Sequence, residues 1–401
     1  MDELSVKVGK GEVKIDRSVF LSLLDISPVQ ASALYRNTLS SDRIRFSDLK
    51  ELASKAEVPY PLFFAPETVV TKHLKDKENN LFNKLPSKAE MRLVTRGFFD
   101  IKDVELIVKD LGRKQEFLKR RVLSRTTNNP FIGYVAKDVK GPHMNKQLAD
   151  KIRSYLGIDL ADLRTKSKAG VVNYIRDCAE HKGILVSFSS YNFMPQNLDP
   201  NLGLSGLCVK DKKFPFIFVN TRDGDEKPKI LESDGRQIFT LVAMLVCIAL
   251  NRFIFSTKGP KKGDPILKKV YLIVGEILIP REDLKSVTIA NLDDLKREST
   301  KFKVTPSMLL VRLRECQLIE KELGKRLRAE LIAEAKSIPS SPKYQPTQTT
   351  GYGKYNGTRL SQEVIRANRG GRISLDEVKN ILFRKGKMNA NLLSEYSEKY
   401  K

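Results

Sequence analysis

Three histidines, at 73, 143 and 181, and four cysteines, at 178, 208, 247 and 316, are the side chains of this 401-residue chain best suited to ligate a transition metal or attack a carbonyl. Ligands must converge on one ion, so they usually recur within a turn or along one helix face, and no two of the cysteines and no two of the histidines do. There is no Cys-x-x-Cys and no disulfide framework, and scattered thiols fit a reducing cytosol. His181 ends a predicted helix ahead of Gly183, where a cation favours the helix dipole, so its role is capping. The carboxylates of Asp223-Gly-Asp225-Glu226 lack the remaining ligands of a calcium loop and read as a polar hairpin tip. Neither a Gly-x-x-x-x-Gly-Lys-Ser/Thr phosphate loop nor a Gly-x-Ser-x-Gly elbow occurs, so ATPase and α/β-hydrolase readings find no support. No metal and no cofactor is expected.

The other chemistry on offer is cationic. Against 48 Asp and Glu stand 72 Lys and Arg, a net charge of +24, with +7 of it in 101–200 and +11 in 301–401. An uneven positive field of this kind suits a polyanionic partner. In 101–125, Ile101, Val104, Ile107, Val108, Leu111, Leu118 and Val122 recur at a helical period, while Lys109, Arg113, Lys114, Lys119, Arg120, Arg121 and Arg125 load the other faces. This predicts a basic amphipathic helix whose cations neutralise successive phosphates, or else a solvated helix face. Arg312 and Arg314 are placed near the exposed side of a later helix and join the candidates. The implied partner is nucleic acid, DNA or RNA.

The elements that position these residues follow from periodicity. Residues 1–100 read as a helical N-terminal region, 101–144 as the basic helix and a connector, and 145–285 as a core. That core contains a helix around Val171–His181, short antiparallel strands at 184–189, 204–209 and 214–220, and later helices, which makes the fold α+β. Residues 286–336 are helical with a helix-turn-helix-like spacing, Thr305-Pro306 marking one helix start. The stretch 337–358, rich in Pro, Ser, Thr, Gly and Tyr without an acid, reads as a linker in which Tyr344, Tyr352 and Tyr355 alternate with Lys343 and Lys354. Residues 359–401 form a small helical domain with Ser374 and Glu377 as a capping box. Met1-Asp-Glu-Leu-Ser carries no secretory signal, and the apolar run Ile238–Leu250 falls short of the roughly 20 residues of a bilayer span. A cytoplasmic protein without a membrane segment is expected.

One pair of elements carries more. The strand Phe214-Pro215-Phe216-Ile217-Phe218-Val219-Asn220 precedes a helix that holds Arg236, Phe239, Thr240 and Leu241. Together they resemble the ImmA/IrrE metallopeptidases, in which a Pro-x-Ile-x-x-Asn strand leads into an Arg-x-x-Phe-Thr-Leu-Ala-His-Glu-Leu-Gly-His helix. The likeness extends over about residues 18–330, including Val58-Pro59 through Phe63-Phe64, Gly206, and the tail from Phe302 to Ile319. It implies a zincin-like metallopeptidase core, a short antiparallel sheet plus helices, with helical N-terminal and C-terminal extensions.

At the motif itself this chain departs from the family. The His-Glu-x-x-His positions fall on Ala243, Met244, Leu245, Val246 and Cys247, and the third ligand falls near Leu267, Lys268 and Lys269, with Glu276 as an acid that is not a ligand. Two imidazoles and a carboxylate are what hold zinc and activate its water, and none remains. The resemblance therefore implies a degenerate, catalytically inactive member. Its setting is a bacterial mobile-element, toxin–antitoxin or phage-defence circuit. Two partners are open: nucleic acid or a protein–nucleic acid complex, and a repressor-like or acidic protein gripped without cleavage.

Overall fold

The computed structural model describes residues 3–84, 101–122, 127–137, 144–199, 202–221, 233–253, 255–257, 265–337, 346–383 and 389–401. Arg125, His143, the 223–226 carboxylates, Lys343 and Tyr344 lie outside them. The described residues within Met1–Lys84, Phe98–Arg113 and Pro195–Leu202 form one compact unit, and those within Lys114–Met194 and Gly203–Lys401 form another.

The first unit is not purely helical at its start, which corrects the sequence expectation. It opens on β1 (Glu3–Val8) and β2 (Gly11–Asp16), an antiparallel hairpin, and β3 (Arg43–Arg45) lies parallel to β1, giving the order β2-β1-β3. The cause is legible in the residues: Leu4, Val6 and Val8 alternate with Ser5 and Lys7, and Gly9, at φ +61°, begins a two-residue turn. Leu4, Val6, Ile15 and Ile44 share the inner face and are buried with Phe20, Leu49 and Phe63 from the following helices. Those helices include Arg17–Leu23, Ala33–Ser41 and Phe46–Lys55. Asp16 and Ser32 cap the first two of them through side-chain acceptors. Gln196 fastens the 195–202 segment to this unit, accepting from Leu106 N–H at 2.8 Å and donating to the Asp103 carbonyl at 2.7 Å.

The second unit is built on a sheet of β4 (Leu185–Phe188), β6 (Phe216–Val219), β5 (Leu204–Val209) and β7 (Phe255–Thr257), in that spatial order. The sheet is mixed, correcting the all-antiparallel expectation: β4 runs parallel to β6, while β5 is antiparallel to β6 and β7. Every residue of β4, β5 and β6 is buried, as a sheet covered on both faces requires. One cover is the helix Asp234–Ala249, wedged among β5, β6 and the helices Lys168–His181 and Pro265–Leu278.

The expected 337–358 linker is in part a packed helix, Gln348–Asn356, lying against β4. Its glycines are packing residues. A Cβ at Gly351 would stand 2.3 Å from the Phe193 ring, and one at Gly353 would stand 1.8 Å from the Tyr400 hydroxyl. Thr305 caps the helix Pro306–Glu315, and Ser374 with Glu377 forms a capping box, both as the sequence predicted. Among the described residues no helix is long and apolar enough to cross a membrane.

Candidate functional site

From Ile238 to Ala249 the helix Asp234–Ala249 is apolar on every face but for Thr240, so this stretch can exist only where it is surrounded. Ala243, Met244 and Cys247, onto which the resemblance maps the zinc-binding motif, are all inside that core, at most 1% exposed. Gly206 lets the helix close on β5: a Cβ there would meet Thr240 Cγ2 at 2.8 Å and the Phe218 carbonyl at 2.9 Å. Cys208 of β5 brings its sulfur 3.7 Å from the Met244 carbonyl. Burial pushes the Cys208 and Cys247 thiols well above their ordinary range, so both are protonated at neutral pH and neither is poised as a nucleophile. Arg236 donates to Ser205 Oγ at 3.1 Å, and Phe239 packs on Tyr271 with ring centroids 5.2 Å apart.

Where the resemblance maps the third ligand, Leu267 is buried and Lys268 is exposed. Glu276 pairs with Arg312. Among the described residues no group of three His, Cys, Asp or Glu is placed to hold a metal ion. His73, on the helix Glu67–Lys84, has its pKa lowered by burial and by the cations Lys77 and Lys109. His181 is exposed in the last turn of Lys168–His181.

The candidate phosphate contacts separate into three kinds. Lys114 and Arg312 are buried, which corrects their assignment to an exposed basic face. Lys114 is 0% exposed, with its ammonium 4.1 Å from the centre of the Tyr355 ring, because its position falls on the apolar stripe of the helix Glu105–Phe117. Arg312 donates to the Ile279 carbonyl at 3.1 Å and pairs with Glu276, clamping the end of Pro265–Leu278 to Pro306–Glu315. Arg113 and Lys119 are held by carboxylates: Arg113 by Asp110 at 2.7 Å, Lys119 by Glu116 at 2.6 Å and Asp211 at 2.7 Å. Arg120 and Arg121 sit on the turn Leu118–Val122: the first remains available, 78% exposed with Glu116 at 3.8 Å, and the second is exposed but bonded to Glu377 at 2.9 Å. Arg314 is exposed, its aliphatic stem against Gly324. The predicted single helix is a 3-10 turn, Ile101–Asp103, then Glu105–Phe117, then that wider turn.

Two concave sites were not foreseen. In the second unit a cavity of about 580 Å³ lies at the first turn of Asp234–Ala249, lined by Arg176, Asp234, Gln237, Lys354, Lys399 and Tyr400 among others. Its cations are partly engaged, Arg176 by Asp177 and Lys354 by the Thr221 hydroxyl at 3.0 Å. In the first unit a cavity of about 590 Å³ is bordered by Lys7, Lys10, Arg43 and Arg45 with Glu12 and Asp48. The signal for the second cavity was the alternation of β1 and of Arg43-Ile44-Arg45. It went unread because residues 1–100 were assigned as helix and are almost neutral in sum.

Comparison with protein-family models, with curated proteins and with solved structures finds no match in any of the three.

Proposed function

We propose that this chain is a catalytically inactive ImmA/IrrE-like regulator or effector that binds nucleic acid, or a protein–nucleic acid complex, in a mobile-element, toxin–antitoxin or phage-defence circuit. The observation that carries the reading is the burial of Ala243, Met244 and Cys247. A hydrolytic centre needs an open metal position, water and a general base, and those three positions offer a dry apolar interior instead. What the chain presents to solvent is positive charge, +24 in sum, which favours a phosphate backbone.

The test is a binding titration of the full chain with labelled mixed-sequence DNA and RNA at several salt concentrations. The expected result is binding at low salt that weakens steeply as salt rises and differs little between sequences. Absence of binding to either polymer at low salt overturns the nucleic-acid reading.

A further inference from the structure

We propose that the outer face of the β1–β3 sheet is a phosphate-backbone contact surface for nucleic acid, formed by Lys7, Lys10, Arg43 and Arg45. The proposal rests on the nucleic-acid reading above and gives it a location.

The placement follows from strand register. Directly paired residues point to the same side of a sheet, and β1 pairs Ser5 with Lys14 and Arg43, and Lys7 with Glu12 and Arg45. Arg43 and Arg45 therefore stand on the outer side with Lys7, two rows deep, while Val6 and Ile44 between them enter the core. Lys10 sits at the Gly9-Lys10 turn beyond the end of β1 and β2. All four cations are exposed and border the same cavity of about 590 Å³.

Their freedom distinguishes them. Lys14, on the same face, pairs with Glu3 at 2.8 Å, yet Lys7, Lys10, Arg43 and Arg45 enter no ion pair with any described carboxylate. Glu12 and Asp48 border the cavity and leave it cationic by two charges. Ser5, Asn37 and Ser41 add short polar groups suited to phosphate oxygens. By contrast Lys114, Lys119 and Arg312 already hold protein groups, so binding a phosphate there would first break an existing contact.

The lining also selects the partner. An acidic protein would need an apolar centre to its interface, and Leu34 and Ile44 are the sole large apolar residues bordering the cavity among the described residues. Among the described residues no aromatic ring borders it, so they offer no platform for stacked bases. Cations without rings or a reading helix contact the backbone and not the sequence.

The experiment measures anisotropy of labelled duplex DNA and single-stranded RNA against the full chain, wild type and Lys7→Ala/Lys10→Ala/Arg43→Ala/Arg45→Ala, across a salt series. Loss of the four contacts should weaken binding at least about tenfold at moderate salt and reduce the slope of log affinity against log salt by about three. Arg43→Gln/Arg45→Gln should lose about half of that slope change, and Arg43→Lys/Arg45→Lys should keep wild-type slope, which reads charge even where the fourfold variant folds poorly. Wild-type slope in Arg43→Gln/Arg45→Gln, while the wild type binds, overturns the surface and spares the nucleic-acid reading. No binding by the wild type overturns both. Displacement of the nucleic acid by polyglutamate at matched charge overturns the backbone assignment in favour of an acidic protein.

Discussion

The sulfurs of Cys208 and Met244 lie 3.6 Å apart between β5 and the helix Asp234–Ala249, and the proposed likeness to the metallopeptidases maps their general base onto Met244. Soft, polarisable side chains fill such a gap without any polar group left to satisfy. A carboxylate at 244 would instead be stranded in that interior.

Met244→Glu should therefore destabilise the chain by roughly 3–5 kcal/mol, the scale of an unpaired buried charge, whereas Met244→Leu should cost less than about 1.5 kcal/mol. Urea unfolding monitored by circular dichroism measures both. An unchanged midpoint for Met244→Glu would mean that this face is open to water.

The same positions predict metal content. After exposure to zinc and dialysis, the purified chain should retain substoichiometric zinc by elemental analysis, and should leave repressor-type substrates intact under the same conditions. One tightly held zinc per chain would contradict the assignment of Ala243 and Cys247 as spent ligand positions.

Lys114 and Arg120 belong to different roles although they are close in sequence. Lys114→Ala removes a buried stem and its contact with the Tyr355 ring, so the melting temperature should fall by several degrees, corresponding to roughly 1–3 kcal/mol. Arg120→Ala/Arg121→Ala should leave melting nearly unchanged, since exposed pairs contribute little. Its effect on the salt slope of nucleic-acid binding should not exceed about one.

Glu180 gives the fold a pH dependence. Its carboxyl is buried beside the start of the helix Thr358–Arg369, accepting from Arg359 N–H at 3.0 Å, and burial raises its pKa to about 7 against the opposing influence of Arg176. The folded state thus binds a proton more tightly than the unfolded chain, whose carboxyl titrates near the ordinary value. This contribution to stability is complete below about pH 4.5 and declines as pH rises to about 7. Glu180→Gln should remove that decline and gain roughly 3 kcal/mol relative to wild type at pH 8, read from urea midpoints across the range. A wild-type profile in the Gln variant would assign the pH dependence elsewhere.

Legibility in the sequence tracked how local the deciding interactions are. The cap at Thr305, the capping box at Ser374 and the buried stripe from Val104 to Val122 depend on neighbours a few residues away, and each was readable. Lys114 was misplaced because its partner, Tyr355, is remote in sequence. Arg312 failed for the same reason, since Glu276 and the Ile279 carbonyl come from another helix. The glycines at 351 and 353 suggested freedom because composition cannot show the Phe193 ring and Tyr400 hydroxyl that need their space. In the first unit the cause was different: the alternation in Glu3–Val8 was local and visible, and a helical assignment of the whole region hid it.

Those two glycines bear on the order in which the chain is made. A ribosome delivers β4 long before the helix Gln348–Asn356 that lies against it, and that helix can seat only when Phe193 and Tyr400 find the gaps at 351 and 353. A nascent chain halted between these segments holds a strand, apolar but for Ser187, without its cover, the kind of surface that draws chaperones or aggregates. Bulk added at either glycine would prolong that exposure, so its damage would appear in the yield of soluble protein as well as in the stability of whatever folds.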